Sequence, residues 1–351
     1  SQEDTGLVSM ANLKKVIKAL PKIEQHVHLI GSTRPETLMW LFDEGGMRKP
    51  FKTIEGARRF FRFHDFPHFI EVYKTVFRCV TKEEQFERIT YEMLEDDASC
   101  NVKYAEASFS APDHVREGLD YGLMLDAINR GVQRAQSDFG IRCSLRIDLV
   151  RNYGPENGMQ VLDWIEDKRE NIVSIDIGGS EEKFPPKPFA PVYHRAKEMG
   201  LHLVAHAGEA AGPDSIWDAV KYLNVERIGH GVTALHDLKL VEFLRKKNIT
   251  VEACPTSNLR TGVVSSLRNH PIRALFDNSV RVTVNSDDPS MFNTDMNREY
   301  LQLHRYLNFS ITDLIQLTRN AIDSSFIHTA QKTQLHRLCE NEHQRLLEEL
   351  E

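Results

Sequence analysis

The sequence predicts an α/β protein of the (β/α)8 TIM-barrel class, with a helical lid insertion after the first strand and a helical C-terminus. Three observations predict it. Eight short runs rich in β-branched and aliphatic residues recur along the chain, helix-like stretches separate them, and the residues with the most chemistry gather where those runs end. A parallel barrel places its active site at those strand ends.

The runs lie at about 22–28, 103–109, 142–149, 172–178, 201–206, 226–230, 249–254 and 280–286. Most intervals fit one helix and its loops, as a parallel crossover requires. The first interval is longer. Its block, 31–102, carries several helical patterns, among them the aromatic-rich FFRFHDFPHFIEVY from Phe60 to Tyr73. An insertion there sits on the catalytic face of a barrel, so it reads as a lid that turns Phe60 and Phe63 toward substrate; an aromatic stripe serves equally as helix packing. Beyond Asn308, ITDLIQLTRNAI and HRLCENEHQRLLEELE space apolar residues by three and four, as amphipathic helices do. No repeat, low-complexity run or linker divides the chain. Residues 11–351 read as a single domain, and the polar run 1–10 as a disordered tail or cloning remnant.

With 41% hydrophobic and 27% charged residues the chain has the makings of a sizeable core, which argues against disorder. A formal charge of −7 argues against a nucleic-acid partner, since phosphate binding rests on clustered basic residues. No stretch is apolar enough for a membrane span. The five cysteines are scattered with no C-x-x-C pair, the pattern of reduced thiols in a cytoplasmic protein. The partner left is a small molecule.

The chemistry begins with HVH, where period-two geometry turns His26 and His28 to the same side of a strand end. With 15 histidines in the chain, such a pair is weak evidence alone. A third, His206, ends LHLVAH and is followed by Ala207, Gly208 and Glu209; RIGHG sets His230 between two glycines; RVTVNSDDP runs into Asp287 and Asp288. Each has a bland reading as a core or turn residue. All six falling at strand C-termini by accident is hard to sustain. Imidazole and carboxylate donors suit zinc, so His26, His28, His206 and Asp287 can hold one Zn²⁺ with a position left for water, whose pKa zinc lowers to about 7. Attack on an aromatic C–N centre also requires a proton for the ring nitrogen; Glu209, a carboxyl in a dry pocket, is the candidate donor. His230 can orient or deprotonate the water, and Asp288 can hydrogen-bond the base.

PKIEQHVHLIGS, IDIGGSEE, HAGEAAG, RIGHG, EACPTSN and NSDDPSMF, in that order over roughly residues 20–300, resemble the adenosine deaminase family of the amidohydrolase superfamily. The resemblance implies a (β/α)8 barrel, zinc on His26, His28, His206 and Asp287, proton delivery from Glu209 to purine N1, action of His230 on the attacking water, contact of Asp288 with N7, and Gly179 near N3. It implies hydrolytic deamination of a purine nucleoside to an inosine-type product plus ammonia. One departure bears on substrate. Where familiar members carry Leu-Asp after H-x-H, with the carboxylate on the ribose 5′-hydroxyl, this chain has Leu29-Ile30. FHDFPHFIEVY is similar to bacterial relatives acting on 5′-modified adenosines, aminodeoxyfutalosine among them. Adenosine, 5′-methylthioadenosine, 5′-deoxyadenosine and aminodeoxyfutalosine therefore stay open as substrates.

Two other readings stand beside this one. A metal-dependent hydrolase of amides or phosphoesters on the same barrel would often use two metals, and no second ligand set is evident. A non-catalytic binding protein would be expected to lack at least one of these residues. The H-x-E with P-C-x-x-C pattern of cytidine-type deaminases is absent.

Overall fold

The computed structural model describes residues 10–351; of the expected tail at 1–10, residues 1–9 lie outside the described residues, and Met10 opens a helix, Met10–Ala19. Eight parallel strands follow in sequential order: β1 (Lys22–His28), β2 (Val102–Phe109), β3 (Arg142–Val150), β4 (Ile172–Gly178), β5 (His202–Ala207), β6 (Arg227–His230), β7 (Thr250–Ala253) and β8 (Val282–Val284). All eight expected runs are strands. With helices between them they form a nearly closed (β/α)8 barrel.

The last strand is shorter than expected from 280–286: its ladder stops at Val284. Asp287 adopts a left-handed φ of 65°, which regular strand cannot contain. The chain instead seals the barrel by a single bridge between Val27 and Asp287, with His28 N donating to Asp287 O at 2.9 Å and Asp287 N to His26 O at 3.0 Å. Gln25 N donates to the Asn285 side-chain oxygen at 2.8 Å just below. The seam thus presses the β1 histidines against the Asp287 carboxylate.

Between β1 and β2 run the helices Pro35–Glu44, Ile54–Phe60, Phe66–Cys79 and Gln85–Ser99. Thr53 and Asp65 cap two of them, accepting from Gly56 N at 3.0 Å and His68 N at 2.8 Å. The aromatic stripe divides: Phe61 and Phe69 are buried, Phe60 and Phe63 are partly buried against the core, and Phe66 is 49% exposed. The C-terminal helices Ile311–Ser324 and Thr329–Leu350 complete the chain. All five cysteines are free and buried. No helix among the described residues is long and apolar enough to cross a membrane.

Candidate metal centre and active site

Every strand contributing to the site ends on the same face. The His26 and His28 rings lie 5.3 Å apart, and His206, from β5, lies 4.6 Å from His26 and 5.7 Å from His28. The three offer nitrogens within 4.8 Å of one another. Asp287 Oδ1 sits 3.2 Å from His26 Nε2 and 3.1 Å from His28 Nε2. Both His26 Nε2 and Asp287 Oδ1 are buried without a hydrogen-bond partner, an arrangement that is costly unless a cation lies between them. Cys254 and His230 also come within 4.8 Å of His26 and Asp287.

Behind each histidine stands a carboxylate. Glu252 Oε1 is 2.9 Å from His26 Nδ1, Asp148 Oδ2 is 3.1 Å from His28 Nδ1, and Asp176 Oδ2 is 2.8 Å from His206 Nδ1. Such partners keep the proton on Nδ1 and turn the Nε2 lone pairs inward, toward a common point. Arg146 ties two of these carboxylates together, 3.0 Å from Asp176 and 2.9 Å from Glu252, and Arg227 meets Glu252 at 2.9 Å. Burial pushes the Glu252 carboxyl up, but Arg146 and Arg227 overcome it and hold the group at about 2. The barrel interior here is ionic where such barrels are usually filled by branched apolar side chains.

Glu209 and His230 meet beside the centre, Glu209 Oε2 lying 3.1 Å and Asp287 Oδ2 3.6 Å from His230 Nε2. Burial, and then the charge of Asp287, push the Glu209 carboxyl up to about 8. Burial holds His230 well below its ordinary value. Like Asp287, His230 is left-handed, with φ 71°. Strained backbone of this kind persists where surrounding structure enforces it.

The loop that carries Glu209 is gathered by Glu181. Its carboxylate accepts from Gly208 N at 2.8 Å, Glu209 N at 3.1 Å, Ala210 N at 2.9 Å and Ser215 Oγ at 2.7 Å. Buried Arg151 donates to His206 O at 2.6 Å from the other side. Asp288, also buried, has its carboxyl pushed up to about 8 by burial and by Asp287. It lies against Gly31.

Of the remaining residues expected at the site, Gly179 follows β4 with φ 94°, and a β-carbon there would lie 2.5 Å from Asn152 Oδ1. Ile30 is 3% exposed in the turn directly after His28. Phe63 packs on Phe69 at 5.0 Å and on Phe292, four residues past Asp288, at 5.9 Å. Phe60 packs instead on Phe51 and Phe61 within the insertion.

Sequence reasoning missed Arg146, Asp148 and His270 outright, and quoted Asp176, Glu181, Glu252 and Asn258 only inside IDIGGSEE and EACPTSN, with no chemistry assigned to them. A signal existed for two of them: Arg146 and Asp148 alternate with Leu145, Ile147 and Leu149 in β3, charges on the barrel-interior phase of an otherwise apolar strand.

A barrel of this topology, with three histidines and an aspartate converging at its C-terminal face, defines the metal-dependent amidohydrolase class. More specifically, the family model described as adenosine deaminase matches residues 21–341, and the chain belongs to that family of deaminases acting on amidine C–N bonds. It is 36% identical over 327 residues to the aminodeoxyfutalosine deaminase of Streptomyces coelicolor, covering 92% of this chain and 84% of that one. The adenine deaminase structure from Arthrobacter aurescens superposes with a TM-score of 0.88 at 29% identity, covering 94% of this chain and 99% of that one. A zinc-bound amidohydrolase from Burkholderia ambifaria gives a TM-score of 0.91 at 27% identity, covering 99% and 97%.

Proposed function

We propose that the protein hydrolyses the 6-amino group of an adenine nucleoside, adenosine or a 5′-modified adenosine, to the inosine-type product and ammonia, using one zinc ion. The observation that carries this reading is the pair of unpartnered buried atoms, His26 Nε2 and Asp287 Oδ1, 3.2 Å apart beside Glu209. Those two residues, with His28 and His206, make a donor set that fits zinc. When bound, zinc supplies the Lewis acidity that makes water nucleophilic near neutral pH.

The chain's own residues do the rest. Glu209, kept protonated by its buried position, delivers a proton to ring N1, so negative charge does not build on the heterocycle as water adds at C6. His230 acts on the attacking water from the side opposite its Asn258 contact. Asp288 meets N7, Gly179 lies by N3, and Phe60 and Phe63 belong to the lid. Ile30 lies under the 5′ group.

Two of the similar proteins are named for aminodeoxyfutalosine and for adenine, which supports a substrate other than adenosine itself. Free adenine is the second reading, favoured by the lack of a carboxylate at Leu29-Ile30 to hold a ribose hydroxyl. The test is a spectrophotometric screen of adenosine, 2′-deoxyadenosine, 5′-deoxyadenosine, 5′-methylthioadenosine, aminodeoxyfutalosine, AMP and adenine, with and without chelator. Chelator-sensitive loss of the adenine absorbance is expected; zinc-loaded protein inert toward the whole set would overturn the proposal.

A further inference from the structure

A buried chain of hydrogen bonds reaches His230 from a backbone amide remote from the reacting centre. Ile272 N donates to His270 Nδ1 at 3.1 Å. That nitrogen is therefore an acceptor, and in the neutral ring the proton must sit on Nε2. Burial pushes His270 down to about 3, so the ring is neutral. His270 Nε2 lies 2.9 Å from the Asn258 side-chain oxygen, the only atom of that amide able to accept its proton. The Asn258 amide nitrogen is then committed to the other side, where it meets His230 Nδ1 at 3.1 Å. A primary amide there has only donors to offer.

We infer that Asn258, oriented by His270, fixes His230 as the tautomer protonated at Nε2, so that His230 enters the reaction as a hydrogen-bond donor at that atom and not as a base. The Nε2 proton points at Asp287 Oδ2, 3.6 Å away, an ionised acceptor that a bare Nε2 lone pair would repel, and at Glu209 Oε2, 3.1 Å away, which accepts it through the carbonyl oxygen of the acid form. A carboxylate in place of Asn258 would accept from Nδ1 and reverse the ring. His270 and Asn258 are positioning residues. They touch no reacting atom, and both are buried, His270 at 3% exposure.

The kinetic part of the inference rests on the proposed deaminase activity; the tautomer does not. Zinc-loaded protein labelled with ¹⁵N-histidine is read by long-range proton–nitrogen correlation, with His230→Gln and His270→Gln used for assignment. Both rings are expected to show pyridine-type nitrogen at Nδ1 and pyrrole-type nitrogen at Nε2. In Asn258→Asp, His230 should exchange the two, with zinc retained, kcat lowered at least tenfold and KM changed less than threefold. His270→Leu, which frees the Asn258 amide, should also lower kcat, and His270→Gln, whose amide can still donate to Asn258 Oδ1, should recover most of that loss. Pyrrole-type Nδ1 on His230 in the wild-type protein would overturn the inference, as would unchanged shifts in a folded Asn258→Asp. Should Asn258→Asp fail to fold, the wild-type spectrum and the His270 pair decide. Should no adenine compound be turned over, the proposed function falls and the spectra still test the tautomer.

Discussion

A β-carbon built on Gly31 would lie 1.8 Å from Asp288 Oδ1, so the Asp288 carboxylate occupies the space that any other residue at position 31 would fill. Gly31→Ala is accordingly expected to displace Asp288 while leaving the proposed zinc ligands in place. The variant should keep full zinc by elemental analysis and lose at least about tenfold in kcat/KM, the scale of a mispositioned catalytic contact. Unchanged kcat/KM would mean that Asp288 has no role in binding the base.

The donor set leads to an expectation of one zinc per chain. Replacing His206 or Asp287 by Ala should deplete metal and turnover together, because the buried set loses one of its four bonds to the cation. Full zinc and full turnover in either variant would remove that residue from the set.

Glu209→Gln preserves shape but has no transferable proton. Zinc and ligand binding should survive while kcat falls by at least ~10²-fold. The sign of the pH dependence follows from the same group. In the proposed mechanism its acid form is the working one, and burial raises its pKa to about 8, so activity should decline as pH rises through that region. A bound cation draws the value lower, placing the limb at or below pH 8. A kcat/KM profile flat from pH 6 to pH 10 would exclude Glu209 as the acid.

In the proposed reading, Ile30 takes the place where a carboxylate would receive a 5′-hydroxyl. Leaving that hydroxyl buried and unpaired costs about 1–3 kcal/mol, and an apolar group in its place gains about 0.8 kcal/mol per methylene equivalent. Taken together these favour 5′-methylthioadenosine or 5′-deoxyadenosine over adenosine by about 20- to 600-fold in kcat/KM. Ile30→Asp should shift the ratio toward adenosine. A wild type that prefers adenosine, with no shift in the variant, would defeat the assignment.

His114 is buried with neither ring nitrogen hydrogen-bonded, packed 4.9 Å from Phe86 and 5.9 Å from Phe77 of the insertion. Burial pushes it down to about 3, against an ordinary value of about 6.5 in the unfolded chain. Between those values the unfolded chain holds a proton the folded one refuses, so stability falls as pH drops below 6.5. His114→Leu, close in volume, should lose less stability between pH 7 and pH 5, by about 2 kcal/mol. Denaturant midpoints at the two pH values measure it; equal losses would show that His114 finds a proton partner in solution.

The sequence alone determined the barrel and the innermost residues. Strand runs and helical spacing are local patterns, and the H-x-H pair, HAGE, RIGHG and NSDD each carry their functional side chains within a few consecutive residues. Local periodicity therefore sufficed to place His26, His28, His206, Glu209, His230, Asp287 and Asp288 on one face. What only the tertiary structure decided is how those groups are held. Glu252 lies 226 positions from the His26 it supports, Arg146 lies 106 from Glu252, and Glu181 reaches across 28 positions to Glu209 N. No local pattern encodes such partners, because barrel closure brings distant strands into register and each buried charge takes the complementary group that closure places beside it. The seam beyond β8 belongs with these, since the left-handed Asp287, three residues past the strand's end, is held by bonds to β1, more than 250 residues earlier in the chain.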